Sequence, residues 1–577
     1  MTSDQQLEKE IKPIEETQLA KRFIALIALI QGLLLAFIYT RVEAQLWPAT
    51  SLSTLYAIIV FVLSYPALFI LISSKHDYKK VAIYLLLFCI VLASLAAYIG
   101  SLSLANRTGN LLFIFTLCGI VASFKAALYI KSFANKTEMT YARLFTQSWR
   151  NFVLGAETAL FCGIFFAILF LGAKLFSVLG IQLFEELLEN QWFWVPALTL
   201  SASLAINVFR NIIHTVDTAA TILQTLMKFL LPLLVIVSLG FISTLPFTGL
   251  EKLWETGSGT GLVLCLQALS LFFVNAVYHE GSDKRPYNVY LHRAIIIGVA
   301  VLPIYSIIAA HGLWLRIDQY GFTVERCWAL VIWFVFAMFS FSYFIGIIKL
   351  RDNWLLAQSK INVAMGLFIL IFSLIVQSPI LNFHSISASS QLARIDDGKV
   401  SLEDFDFDYF VYQLHKPGKQ ALEEFKLTIA DEHPEVLALI DRKYAERLEP
   451  TLKHRLPADV IRYWPSQDDV PPELISELKK DSIIRDIYTD PKDEVHIVKI
   501  DANEDGLAEY LILRRARWSS FSTMYYSESD VWKSKVIYSR VPEDVDITQL
   551  LESHEVELTP SKWQNIKIGE VLIETNN

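Results

Sequence analysis

Residues able to do chemistry are few in this chain, and the best spaced of them lie near its end. The run DANEDGLAE places Asp501, Asn503, Asp505, Gly506 and Glu509 at positions 1, 3, 5, 6 and 9 of one loop. Oxygens at alternate positions converge on a point while the glycine allows a sharp turn, which is the logic of a calcium loop. Position 12 is Ile512 in place of the bidentate Glu of an EF-hand, and the flanks EVHIVKI and AEYLILRR alternate as strands do. The expectation is a strand-loop-strand site with Asp501, Asn503, Asp505 and Glu509 as Ca2+ ligands. The same spacing also suits an Asx-stabilised hairpin loop with no metal. Calcium is the one cofactor the sequence suggests.

A second set lies within long apolar stretches, where an ionisable group is expensive and so becomes a candidate for function. Glu157 is about two turns into one such stretch, and Lys125 is five residues from the end of the preceding one. That spacing lets them reach a similar depth and pair. The blander reading is that Lys125 snorkels to the headgroups and Glu157 lies in the interface. Asn207, Asn275 and His311 are further polar groups in apolar surroundings, for which interhelical hydrogen bonding is a sufficient account. The loop LRIDQYGFTVERCW gathers Arg316, Asp318, Glu325 and Arg326 about Tyr320-Gly321-Phe322-Thr323. These charges either pair with one another at the rim or use Arg316 and Arg326 to dock an acidic domain. HExxH, CxxC, GxSxG and a Gly-rich phosphate loop are all absent, so no catalytic residue is assigned.

The elements that must position these residues follow from composition. Of 577 residues, 54% are hydrophobic and 19% charged, against about 45–50% apolar and about 25% charged in soluble domains. Residues 1–383 carry 26 Lys/Arg and 20 Asp/Glu, and residues 384–577 carry 24 and 38, so a net of +6 precedes a net of −14. A bilayer core about 30 Å thick takes roughly 20 apolar residues of helix. Eleven stretches qualify, near 23–40, 51–73, 81–100, 110–130, 151–179, 191–209, 226–247, 259–279, 292–315, 326–348 and 361–383. No small-residue cleavage site flanks the first, which therefore reads as an uncleaved span. Loops on one side of this alternation hold 18 Lys/Arg and those on the other hold five, Arg41, Arg107, Lys252, Arg316 and Arg326. That bias places the N-terminus in the cytoplasm and, after an odd number of spans, the acidic C-terminal region outside it.

The organisation expected is a cytoplasmic tail (1–22), a transmembrane helical domain (23–383), an extracytoplasmic helical subdomain (384–484) and an extracytoplasmic β-rich subdomain (485–577). The fold class is an α-helical polytopic membrane protein with a C-terminal α+β domain of helices followed by antiparallel strands. Ser385 is placed to cap a helix that stops at Gly398, Ser401 with Asp404 to open the next, and Pro417 to start a third. All five cysteines fall in spans, so the exported region contains no disulfide.

The two loops YHEGSDKRPYNVYLHR (Tyr278 to Arg293) and LRIDQYGFTVERCW, with the run SISASSQLARIDDGKVSLEDFDFDYFVYQLHKPGKQALEEF (Ser385 to Phe425), carry a resemblance. Together they resemble an uncharacterised family of bacterial polytopic inner-membrane proteins, known as domain of unknown function four-one-five-three. The similarity runs from the fourth span onward and is most specific in RIDQYGFTVER and in ARIDDGKV, DFDFDYF and KPGKQAL. It implies a bacterial inner membrane and a water-soluble C-terminal domain, and it brings no reaction, substrate or catalytic residue.

Three functions fit these observations. The first is a non-enzymatic membrane body presenting an acidic domain, with calcium bound or not, to an extracytoplasmic protein, polymer or lipid, and with no nucleic acid as partner. The second is a transporter or lipid-handling protein, supported by more spans than an anchor requires and by Glu157 with Lys125. The third is a membrane transferase acting on a lipid-linked substrate, which calls for a cleft holding an Asp or Glu where the membrane meets the exported domain. A polar cavity entering the membrane body separates the second from the first.

Overall fold

The computed structural model describes residues 19–104, 109–210, 213–278, 286–429, 433–448, 461–466, 470–471, 473–474, 495–503, 505–514, 521–528, 531–537, 551, 566–568 and 571–573. Among them, ten helical segments are long and apolar enough to cross a bilayer. The first four are α1 (Lys21–Glu43), α2 (Leu52–Ile72), α3 (Tyr78–Leu102) and α4 (Gly109–Ala134). The fifth, α5 (Tyr141–Val178), has 38 residues and is about 57 Å long, well beyond a hydrocarbon core of about 30 Å. A short α6 (Leu183–Glu189) leads into α7 (Gln191–Phe209), followed by α8 (Ile213–Thr248), the short α9 (Glu251–Glu255) and α10 (Gly259–Val277).

Two segments are interrupted for identifiable reasons. α11 (Val289–Ala300) and α12 (Leu302–Tyr320) make one crossing that breaks at Val301, where Pro303 has no N–H to give the carbonyl of Val299. The tenth segment, Val324–Ile375, contains α13 (Val324–Leu350) and α14 (Trp354–Ile375), separated by a 3-10 turn at Arg351–Asn353. Arg351 has φ +47°, which reverses the chain, and α13 and α14 then pack along one another. Counted separately they make eleven crossings, as expected from the sequence.

The body keeps large apolar side chains on its outside, among them Phe113, Leu160, Ile168, Phe229 and Ile236, where a soluble protein would place polar ones. Inside, helices are joined by polar contacts. Gln267 of α10 donates to Ser306 Oγ of α12 at 2.6 Å and to Ser340 Oγ of α13 at 2.7 Å, all three buried. With no hydrophobic gain between helices in lipid, such bonds and close packing are what specify the bundle.

After α14 the chain forms α15 (Phe383–Asp396), α16 (Phe407–Gln413), α17 (His415–Ile429) and α18 (Pro434–Leu448). The cap of α15 is Asn382, whose Oδ1 accepts from Ser385 N, so the helix starts one turn before the serine expected to cap it. The Ser401–Asp404 pair forms both of its mutual bonds, yet α16 opens later, on the Asp406 carboxylate. Compact packing divides the chain into Met1–Leu437 and Ala438–Asn577. Helices α15 to α17 therefore belong to the same unit as the crossings.

The second unit holds a five-stranded sheet in the order β1 (Ile461–Trp464), β2 (Val495–Ile500), β3 (Glu509–Arg514), β4 (Phe521–Glu528), β5 (Val531–Ile537). β1 runs parallel to β2, and the other neighbours are antiparallel. A strand at 461–464 was not expected within the helical stretch 384–484; its aromatic and β-branched run IRYW suits a pleated surface better than a helix. The run WQNIKIGEVLIE forms two strands, β6 (Ile566–Ile568) and β7 (Val571–Ile573), paired antiparallel with Ile568 opposite Val571. Ile497, Tyr510, Ile512 and Tyr525 from three strands make the buried face, with Val470 and Leu474 against it.

Candidate functional site

The clearest site lies in the membrane body at the end where the Lys/Arg-rich loops emerge. Parts of α4, α5, α10, α13 and α14 surround a cavity of about 340 Å³. Its apolar wall is mainly Phe, Leu and Trp, and its polar groups are Lys125, Tyr129, Tyr141, Ser148, Asn275 and Asn362. Asn275 is the hub. Its Oδ1 accepts from Tyr343 Oη at 2.8 Å, from Asn362 Nδ2 at 2.6 Å and from Gln358 Nε2 at 3.2 Å. Tyr141 Oη donates to the Asn275 backbone carbonyl at 3.0 Å, and the Tyr343 hydroxyl also meets Asn362 Oδ1. Four helices are thus tied to one amide at the cavity wall, and Tyr343 and Gln358 are fully buried behind it.

Two details shape the space. Tyr129 Oη donates to the Val363 carbonyl at 2.8 Å across the narrow crossing of α4 and α14, and a side chain at Gly366 would strike that hydroxyl. Lys125 lines the cavity, and among the described residues no hydrogen-bond or ion-pair partner meets its ammonium. The cavity thus combines one cation, phenol oxygens whose hydrogens are already given to carbonyls, and amide groups, in an apolar wall. It contains no nucleophile paired with a base.

Glu157 does not line this cavity, and no ion pair joins it to Lys125. Instead one of its carboxylate oxygens is buried with no hydrogen-bond partner among the described residues. Sequence reading singled out Asn275 and Lys125 but missed Tyr141, Tyr343, Gln358 and Asn362. A signal existed in Gln358, Asn362 and Gly366, spaced four apart and so on one face of α14.

At the same end, Lys131 and Asp77 form a bonded pair. Lys131 meets Asp77 Oδ2 at 3.1 Å and donates to the Ile72 carbonyl at 2.8 Å and to Ser74 Oγ at 3.1 Å. Asp77 also accepts from Ser74 N at 2.8 Å and from Asn135 Nδ2 at 3.0 Å. Burial alone would raise the Asp77 carboxyl, but the Ser74 N–H, the Lys131 ammonium and the Asn135 amide outweigh it and hold it below the usual range. The α2–α3 turn is thereby clamped to the end of α4.

At the opposite end, the arginines expected to meet an acidic domain bind main-chain carbonyls. Arg316 Nη2 donates to Gly257 O at 2.6 Å; Arg326 Nη1 donates to Gly321 O at 2.8 Å and lies over the Tyr320 ring. The segment after the last crossing attaches to the same loop by other residues. Gln391 Nε2 donates to the carbonyls of Tyr320 and Phe322 at 2.9 and 2.8 Å, and Arg394 reaches those of Tyr320 and Gln319 at 3.1 and 3.2 Å. In return Phe322 N donates to Ser390 Oγ and Val324 N to Tyr409 Oη, both at 2.9 Å. The bonds that join this segment to the loop come from Gln391, Arg394, Ser390 and Tyr409.

In the second unit, the Asp501–Glu509 loop bonds to its own backbone. Asp501 accepts from Gly506 N at 3.0 Å and Asp505 N at 3.2 Å, Asn503 from Asp505 N at 2.9 Å, and Asp505 from Leu507 N at 2.7 Å. Glu509 accepts from Ala502 N at 2.7 Å across the loop, and Gly506 has φ +86°. Among the described residues, no three His, Cys, Asp or Glu side chains are grouped to hold a metal ion.

Comparison with protein families finds one match, to the model described as Domain of unknown function (DUF4153), over residues 56–425. The match starts in α2, earlier than the fourth span, and ends in α17, so it takes in both ends of the membrane body and none of the sheet. No curated protein and no solved structure matches the chain.

Proposed function

We propose, from the premise that the chain belongs to the DUF4153 family, that it is a lipid-handling membrane protein whose cavity takes an amphiphile with an anionic headgroup. One observation carries this reading: the ammonium of Lys125, with no partner among the described residues, in a largely apolar cavity. A body serving only as an anchor would gain nothing from keeping such a space open. The Lys/Arg-rich loops face the cytoplasm of a bacterial inner membrane, so the cavity serves the cytoplasmic leaflet and the acidic C-terminal region lies outside. Lys125 fixes the headgroup, Asn275 and Asn362 each keep one amide N–H for it, and the Phe and Leu wall holds acyl chain.

The test is binding of phosphatidylglycerol and phosphatidylcholine to the purified full-length protein, read by native mass spectrometry. Phosphatidylglycerol is retained more tightly by the unmutated protein; Lys125→Gln removes about tenfold of that preference, and Lys125→Arg keeps it. Equal retention of the two lipids, or an unchanged preference in Lys125→Gln, sinks the reading.

Calcium at the Asp501–Glu509 loop belongs to the same proposal, because the self-bonded carboxylates retain free lone pairs and an extracytoplasmic site fills even at a Kd of about 10⁻³ M. Millimolar calcium should raise the melting temperature of the full-length protein, and the double change Asp501→Ala, Asp505→Ala should abolish the rise. An unmutated protein that ignores calcium ends this part of the proposal.

A further inference from the structure

A second cavity, of about 300 Å³, lies at the other end of the membrane body, where α3 and α4 face the start of α13, the link from α14 to α15 and the start of α17. Its polar lining is unlike that of the first. Glu325, Gln377, Asn382, His384, Gln413 and His415 face it, and among the described residues neither Lys nor Arg does. Gln377 is 6% exposed, and its amide nitrogen is buried with no hydrogen-bond partner among the described residues other than the Cys118 thiol beside it. His384 and His415 stand edge to face, their ring centroids 5.8 Å apart. Burial outweighs the pull of the Glu325 carboxylate and brings His384 down to about 4, so its ring is neutral at pH 7. The remaining wall is apolar and aromatic, with Tyr98 and Trp328 as ring surfaces and Trp328 held edge-on by Phe383 at 5.3 Å.

We infer that this cavity is a second lipid site, selective for an uncharged, polyhydroxylated headgroup such as a glycosyl group. An anionic head would meet the Glu325 carboxylate and, among the described residues, find no cation in the lining. A cationic head has a single carboxylate to meet, that of Glu325. A metal ion lacks a set of three suitable side chains among the described residues. Hydroxyls, in contrast, donate to Glu325 and to neutral imidazole and accept from the Gln377 amide, while aromatic rings cover the apolar face of a sugar. The apolar side toward α3 and α4 takes the chain of the same molecule. This inference stands apart from the Lys125 reading, with which it shares no residue.

The test uses the full-length protein in phosphatidylcholine nanodiscs with a decyl β-glucoside carrying a photoreactive group in its alkyl chain, and decyl phosphate with the same chain. Expected is labelling of the Val376–Phe383 and Trp328 peptides by the glucoside, displaced by excess unlabelled decyl β-glucoside. Gln377→Leu and His384→Phe should each lower that displaceable labelling by about five- to tenfold, the loss of one hydrogen bond. Decyl phosphate should label these peptides only at the non-displaceable level. Equal displaceable labelling by both probes, or glucoside labelling that no competitor displaces, overturns the inference whatever happens at Lys125.

Discussion

The two cavities of the membrane body are close in size and opposite in construction. At the basic end, polar groups project from within the crossings: Lys125 from α4, Asn275 from α10, Asn362 from α14. At the other end they come from helix starts and from the segment beyond the last crossing: Glu325, Asn382, His384 and His415. The first wall therefore depends only on how the crossings pack. The second exists only because α15 and α17 return onto the bundle. The linings follow the same division, a cation lodged among apolar side chains in one case and neutral polar groups with one carboxylate in the other.

This contrast can be broken from either side. The largest effect is expected at Asp77. Replacing it with Ala leaves the mostly buried Lys131 ammonium without its counter-charge, and should cost about 3 kcal/mol, read as a fall in melting temperature of the detergent-solubilised protein. If the ends are built independently, displaceable glucoside labelling at the far cavity survives this change at temperatures below the new transition; its loss would mean that the bundle is one cooperative frame. A smaller effect concerns acid. His384 binds a proton below about 6.5 when unfolded and only near 4 when folded, so the stability it confers is complete above pH 6.5 and lost as pH falls toward 4. The melting temperature should drop across that window, by the equivalent of about 1–3 kcal/mol. His384→Gln should flatten the drop, and a wild-type slope retained in that variant would remove the imidazole from the account.

Sequence patterning revealed the crossings because each is a one-dimensional property, a length of apolar helix, and the bias of Lys and Arg in the loops checks their number. The Arg351–Asn353 break was also legible, since charged residues separate two apolar runs there. The sites were legible only in part. Asn275 stands out as an isolated amide in an apolar span, but Tyr141 and Tyr343 read as ordinary interfacial aromatics until three-dimensional packing brings their hydroxyls to it. Lys125 has two meanings in sequence, snorkelling or buried, and only its neighbours on other helices choose between them. Arg316 and Arg326 illustrate a further limit: their partners are carbonyl groups, which every residue carries and no pattern announces. His384 and Gln377 gave no signal at all, because the surface they face is assembled from segments hundreds of residues apart.

Two segments that carry the family likeness, RIDQYGFTVER and the Ser385–Phe425 run, are each other's binding partners, joined through Gln391, Arg394, Ser390 and Tyr409. That attachment reads the loop by its backbone, from Gln319 to Val324. It follows that the side chains at positions 318, 319 and 320 can drift in evolution at little cost to the joint. Gly321 has no such freedom: at φ +69° any other residue is strained, and a Cβ there would lie 2.8 Å from Arg394 Cδ. One glycine thus bears a constraint that its charged neighbours only seem to carry, and variation among relatives should gather around it and spare it.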